Sequence, residues 1–180
     1  MTIYVAFLRG INVGGQNIIK MKEITKKLES LDLEGVKSFR ASGNLLFSSK
    51  MGLEDVRAII QQGVKELASK DIGVFLRTSS QMEDIMKLQP FKGREVPSAK
   101  LYVTFVSLTK KFSIPFPFKS KHEDVEVFLI ENSNIFSQAY ERKGRYGAPN
   151  NFIEKELNVA ATTRNWNTIK GICEILENLS

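Results

Sequence analysis

Thr2-Ile3-Tyr4-Val5-Ala6-Phe7-Leu8-Arg9-Gly10-Ile11-Asn12-Val13-Gly14-Gly15 is the stretch on which the fold turns. Its first part is rich in β-branched and aromatic residues and reads as a buried strand, which Gly10 to Gly15 then break. Downstream, Met21, Ile24, Leu28 and Leu31 recur every three or four residues, predicting an amphipathic helix over Met21–Leu31. Val36–Arg40 and Leu45–Ser48 read as a hairpin joined at Ser42-Gly43-Asn44, because Gly and Asn tolerate positive φ. Leu53, Val56, Ile59, Ile60, Val64 and Leu67 predict a helix over Leu53–Ala68, and Ile72–Arg77 is again strand-like. The order β-α-β-β-α-β predicts a four-stranded antiparallel sheet with both helices on one face.

The second half is less regular. Ser80 with Glu83 reads as a capping box opening a short helix through Leu88, and residues 89–97 form a Pro- and Gly-bearing connector. Lys100–Leu108 is strand-like, Val125–Glu131 and Ile135–Tyr140 read as a hairpin around Asn132-Ser133-Asn134, and Asn151 with Glu154 resembles another capped helix start. A last helix is expected over Asn165–Leu179. The fold class expected is α+β, with two ferredoxin-like (split βαβ) lobes of antiparallel sheet and helices on one face. The lobes are residues 1–88 and residues 89–180, the second closed by the C-terminal helix.

With 180 residues and 42% hydrophobic content, the chain can bury a real core. No apolar run approaches the roughly 20 residues needed to span a bilayer, and the first apolar run lacks the basic start and small-residue cleavage site of a signal peptide. A cytoplasmic protein is expected. The single cysteine, Cys173, excludes an intramolecular disulfide; its spacing to Ile169, Ile172 and Leu176 makes it a buried thiol. A net charge of +6 favours anionic partners without specifying a chemistry.

Candidate binding residues come from three motifs. Arg9, Gly10, Asn12, Gly14 and Gly15 form a polar glycine loop on a strand end; its N–H groups can make an anion nest, or it can be a tight turn with Asn12 bonded to backbone. It is not a P-loop, having no Gly-Lys-Ser/Thr, and its glycine spacing is not the dinucleotide fingerprint. Ser42 and Asn44 flank the hairpin turn. Arg164, Asn165 and Asn167 surround Trp166 where a helix starts, a place suited to an anion or a base, or else an N-cap with a core tryptophan. Lys110, Lys111, Phe112, Phe116, Phe118, Lys119, Lys121 and His122 interleave cations with aromatics as single-strand binders do. Tyr140-Glu141-Arg142-Lys143-Gly144-Arg145-Tyr146-Gly147 is a basic loop with glycine hinges that could close over a ligand, though it reads first as a solvated loop. His122 is the only histidine, and no nucleophile elbow or spaced metal-ligand set appears, so no catalytic residue, metal or cofactor is nominated.

Leu8-Arg9-Gly10-Ile11-Asn12-Val13-Gly14-Gly15, Met21, Ser42-Gly43-Asn44 before a strand with Phe47, and Glu154-Lys155 ahead of Ala161-Thr162-Thr163-Arg164-Asn165-Trp166-Asn167-Thr168 resemble the bacterial family called domain of unknown function 1697. The resemblance runs over nearly the whole chain and implies two ferredoxin-like lobes and a family without an established reaction. Phe112-Ser113-Ile114-Pro115-Phe116-Pro117-Phe118 departs from the more helical connection expected of relatives. The functional expectation is an anionic small molecule or nucleotide bound where the three motifs converge; binding of nucleic acid on the basic surface, and an enzyme of unknown class, are the alternatives.

Overall fold

Strand β1 (Thr2–Leu8) lies between two neighbours, and the rest of the first half is arranged around it. The computed structural model describes residues 1–12, 19–107 and 117–179, which form a mixed α+β structure with antiparallel sheets and five helices among the described residues. The chain divides into two units, Met1–Glu83 and Asp84–Ser180.

In the first unit β1 is followed by α1 (Met21–Glu29), β2 (Glu34–Phe39), β3 (Asn44–Ser49), α2 (Leu53–Ala68) and β4 (Val74–Thr78), with strand order β2-β3-β1-β4. Every pairing is antiparallel, and Tyr4 stands between Phe47 and Thr78. Alternate residues Tyr4, Ala6 and Leu8 join Leu45, Phe47, Val74 and Leu76 in one cluster. Ile24 and Leu28 of α1 and Val56, Ile60 and Val64 of α2 close over it, each set spaced four apart as one helical stripe requires. Both helices thus cover one face, as the element order predicted. Helix α1 stops at Glu29 rather than Leu31, yet Leu31 still packs on the cluster; the apolar spacing recorded burial and not helix length.

Helix α3 (Ser79–Leu88) begins one residue before the expected Ser80 box. Thr78 N donates to Gln81 Oε1 at 2.9 Å and Gln81 N donates to Thr78 Oγ1 at 3.2 Å, so the reciprocal box is Thr78/Gln81. Both pairs fit the spacing of three, and the strand end at Thr78 decides between them.

The second unit contains β5 (Ala99–Val106), β6 (Phe118–Lys119), β7 (Val125–Glu131), β8 (Asn134–Arg142), β9 (Arg145–Tyr146), α4 (Pro149–Leu157), β10 (Ala161–Asn165) and α5 (Trp166–Glu177). The antiparallel order is β10-β5-β8-β7-β6, with β9 paired to β8. Asn132 (φ 48) and Ser133 (φ 60) make the β7–β8 turn, two left-handed residues as a tight hairpin demands. Ile153 and Leu157 of α4 pack with Val106, Val127, Ile135 and Ala161. Phe136 points the other way from Ile135, and its ring meets Phe91, which in turn meets Trp166 of α5 at 5.0 Å. Coverage in this unit is therefore two-sided, a departure from the one-face expectation: Trp166 begins a helix beyond the last strand, outside the β-α-β-β-α-β set.

Two further readings are corrected here. Asn151 lies inside α4, whose N-cap is Ala148 with Pro149 in the first turn, and Glu154 Oε1 instead accepts from Ala161 N at 2.8 Å. Thr162, Thr163 and Arg164, read with the helix start, belong to β10, and Asn165 ends that strand as the N-cap of α5. The Lys100 ammonium lies 3.8 Å from the Tyr146 ring centroid.

Gly147 is the tightest glycine of this unit, because a Cβ there would be driven into the carbonyl of Asp124 and the Val125 side chain. Gly147→Ala is expected to cost about 1–3 kcal/mol through overpacking, read as a lower midpoint in urea unfolding with an unchanged slope.

Candidate functional site

The N-terminal loop leaves the sheet under close constraint. Leu8 N donates to the Gly43 carbonyl and Arg9 N to the Gly73 carbonyl, each at 2.8 Å, so neighbours on both sides hold the strand end. Gly10 takes φ +68 with open space where a Cβ would stand, and Arg9 is exposed with its stem against Gly73. Asn12, at φ 55, donates from Nδ2 to the carbonyls of Ile19 (3.0 Å) and Ala41 (2.9 Å), and its Oδ1 accepts from Ile19 N at 2.9 Å. Its amide thus clips Asn12 to Ile19 and to the β2–β3 turn. Asn44 is fully buried and donates to the Phe39 carbonyl (2.9 Å) and Ser42 Oγ (3.0 Å). Gly43 at φ +72 brings its Cα so near Leu8 that an added Cβ would sit 2.9 Å from the Leu8 Cβ. The structure thereby brings Arg9, Gly10, Asn12, Ser42 and Asn44 together. Gly14 and Gly15 lie outside the described residues.

The third motif belongs to the second unit. Arg164 is buried on β10, donating to Thr162 Oγ1 (2.8 Å) and the Thr163 carbonyl (2.9 Å). Burial pulls its pKa down to about 10, which leaves the guanidinium charged at neutral pH. Asn165 is the N-cap of α5, its Oδ1 accepting from Asn167 N at 2.9 Å. Trp166 is 7% exposed and stacks in the core, while the Asn167 side chain is exposed. Around this cap lies a groove of about 420 Å³ whose polar lining is Asn165, Asn167, Lys100, Lys170 and Glu95. The α5 start adds a partial positive charge beside Lys170, while Lys100 lines the groove with its ammonium over the Tyr146 ring.

On the outer β strands, Lys119 stands 3.9 Å from Glu123 and 4.0 Å from Glu126. Lys110, Lys111, Phe112 and Phe116 lie outside the described residues. Burial raises the Tyr102 phenol above its ordinary range, and nearby Tyr146 adds to the rise. Among the described residues no group of three or more His, Cys, Asp or Glu is placed to hold a metal ion, and no helix is long and apolar enough to cross a membrane. Cys173 is buried on α5. What the sequence reading passed over is Lys100 and Lys170, which are 70 positions apart and carry no motif.

The fold and grooves define an α+β protein with polar loops at strand ends and no recognisable catalytic set among the described residues. Residues 1–136 match the family described as protein of unknown function (DUF1697), and the chain belongs to that family. Its structure is similar to that of the conserved bacterial protein SP0830 from Streptococcus pneumoniae, with a TM-score of 0.71 at 21% identity, over 97% of this chain and 98% of that one. That likeness is one of fold. No curated protein matches the chain.

The Asn12 clip is open to test. Asn12→Gly keeps the left-handed backbone and removes all three side-chain bonds; a loss of about 1–3 kcal/mol in urea unfolding is expected. Asn165→Ala, removing the α5 cap, is expected to cost about 1 kcal/mol in the same assay.

Proposed function

We propose that this is a cytoplasmic protein of two ferredoxin-like lobes, residues 1–88 and 89–180, that binds an anionic small molecule or nucleotide. Support for the lobes comes from the strand orders β2-β3-β1-β4 and, leaving aside edge strand β6, β7-β8-β5-β10, which take their strands in the same order, second, third, first, fourth. The observation that carries the binding reading is the groove at the start of α5, where Asn165, Asn167, Lys100 and Lys170 meet around a helix N-terminus. Lys170 lies one turn into α5, so on this reading its ammonium and the positive end of that helix attract the same anion. In the first unit, taken by itself, Arg9 beside Gly10 at the end of β1 is a separate proposed anion contact. Asn12 ties Ile19 to Ala41 beside it, and Asn44 holds the Ser42 turn.

A thermal-shift screen of phosphorylated metabolites and nucleotides tests the reading. A hit should lose about 1.5–3 kcal/mol of binding on Lys170→Ala or Asn167→Ala, the range of a charged hydrogen bond, with the melting temperature of the free variants little changed. Arg9→Ala tests the first unit separately: a large fall in melting temperature without ligand assigns Arg9 to the fold. A flat response across the phosphorylated compounds would overturn the proposal.

A further inference from the structure

Strands β8 and β9 form a hairpin that puts like charges face to face. Arg142 is the direct cross-strand partner of Arg145, and Lys143 occupies the turn between them. Lys143 (φ 51) and Gly144 (φ 76) are both left-handed, so the hairpin closes in two residues and the guanidinium stems cannot splay apart at their bases. Directly opposed like charges destabilise a strand pair. Among the described residues none of these three cations has an ion-pair partner, whereas Arg57, Lys27, Lys65 and Arg94 each have one.

The three cations line one cavity of about 470 Å³ together with His122, Asp124, Tyr146, Gly147 and Ala148. Asp124 is the single carboxylate in that wall, and it is engaged elsewhere, accepting from Ser120 Oγ at 2.5 Å. The cavity has a firm floor. Tyr140 N donates to the Asp124 carbonyl at 2.9 Å, Gly147 N donates to the Tyr140 carbonyl at 3.2 Å, and Gly147 has no room for a side chain above Asp124. Lys100 braces the Tyr146 ring from the other side. The segment read from composition as a solvated loop is a fixed hairpin with a concave, cationic face.

The geometry points to a phosphate-binding site on the β8–β9 hairpin, in which Arg142 and Arg145 fork onto one phosphoryl group and Lys143 and His122 flank it. Paired guanidinium groups match the oxygens of a phosphate bidentately, and a dianion between them turns the cross-strand repulsion into attraction. The ligand class is a phosphomonoester or diphosphate, carried by a free metabolite or by the end of a nucleic acid strand. None of these anion contacts is shared with the groove at α5, so this inference stands or falls apart from the one above.

Titration of the isotope-labelled full chain with inorganic pyrophosphate, with AMP and with an oligothymidylate bearing or lacking a 5′-phosphate tests it by NMR. A saturable set of amide shifts at residues 120–124 and 140–148 is expected with pyrophosphate and AMP, read separately from any shifts at residues 95–101 and 165–170. The double variant Arg142→Gln/Arg145→Gln should weaken them at least about tenfold. Lys155→Gln, on the exposed side of α4, should leave them intact. The double variant should melt at or above the temperature of the parent, since the opposed charges are gone. A response to the strand only with its 5′-phosphate assigns the strand end as the source. Equal binding of the strand without that phosphate while pyrophosphate fails overturns the proposal, as does a loss as large in Lys155→Gln, or a double variant that melts well below the parent.

Discussion

Strand β1 is hydrogen-bonded along both edges, from Thr2↔Ser49 to Phe7↔Asn44 on one side and from Tyr4↔Thr78 to Leu8↔Val74 on the other. A strand so placed has no freedom to slip, because a shift of one residue would exchange Tyr4, Ala6 and Leu8 for Val5 and Phe7 on the helix-covered face. Where β1 ends, the pairing does not fray: Leu8 N reaches Gly43 and Arg9 N reaches Gly73. The loop that follows therefore starts from a fixed point framed by both neighbours. The left-handed Gly43 is the cost of that framing, since only a residue without Cβ lets the β2–β3 turn come so close to Leu8.

That close approach also explains where the polar side chains go. A backbone N–H or carbonyl left unpaired near a packed turn costs about 1–3 kcal/mol, so an amide within reach is captured by it. Asn12 pairs with Ile19 and Ala41, Asn44 with Phe39, Arg164 with Thr163, and Asn165 with Asn167 N. Residues that composition marks as ligand contacts are in this way held by their own loops. Arg9, Asn167 and Lys170 are placed differently, the first two exposed and the third partly so.

The parts of the fold legible in the sequence are those set by periodic burial. Ile24 with Leu28, and Val56 with Ile60 and Val64, mark their helices because each stripe has a single sheet face to meet. Strand β10 was obscured by its own chemistry. Thr162 and Arg164 are its buried polar residues, so a run that pairs fully with β5 reads as a polar approach to a helix. The α3 cap was ambiguous for a different reason: Thr78/Gln81 and Ser80/Glu83 have the same spacing, and only the register of β4 against β1 tells which comes first. The grooves were the least legible, since Lys100 with Lys170, and His122 with Arg145, meet through the strand order β10-β5-β8-β7 and not through any contiguous motif.

Net charge, too, is less informative than its placement. An exposed ion pair contributes only about 0–1 kcal/mol, so Lys27 with Glu66 or Lys65 with Asp71 is a modest gain, and a cation without a partner is no large loss. The β8–β9 hairpin differs because three small costs fall on adjacent residues. Arg142 opposes Arg145, Lys143 is a non-glycine residue at positive φ, and Gly147 excludes every larger side chain. An Asn-Gly turn flanked by opposite charges would remove the first two while keeping the same backbone. Local choices that run against stability, gathered on a rigid frame and facing one cavity, are where sequences depart from what folding alone would select. In this hairpin the opposition of Arg142 and Arg145 becomes favourable in the proposed complex, where an anion lies between them.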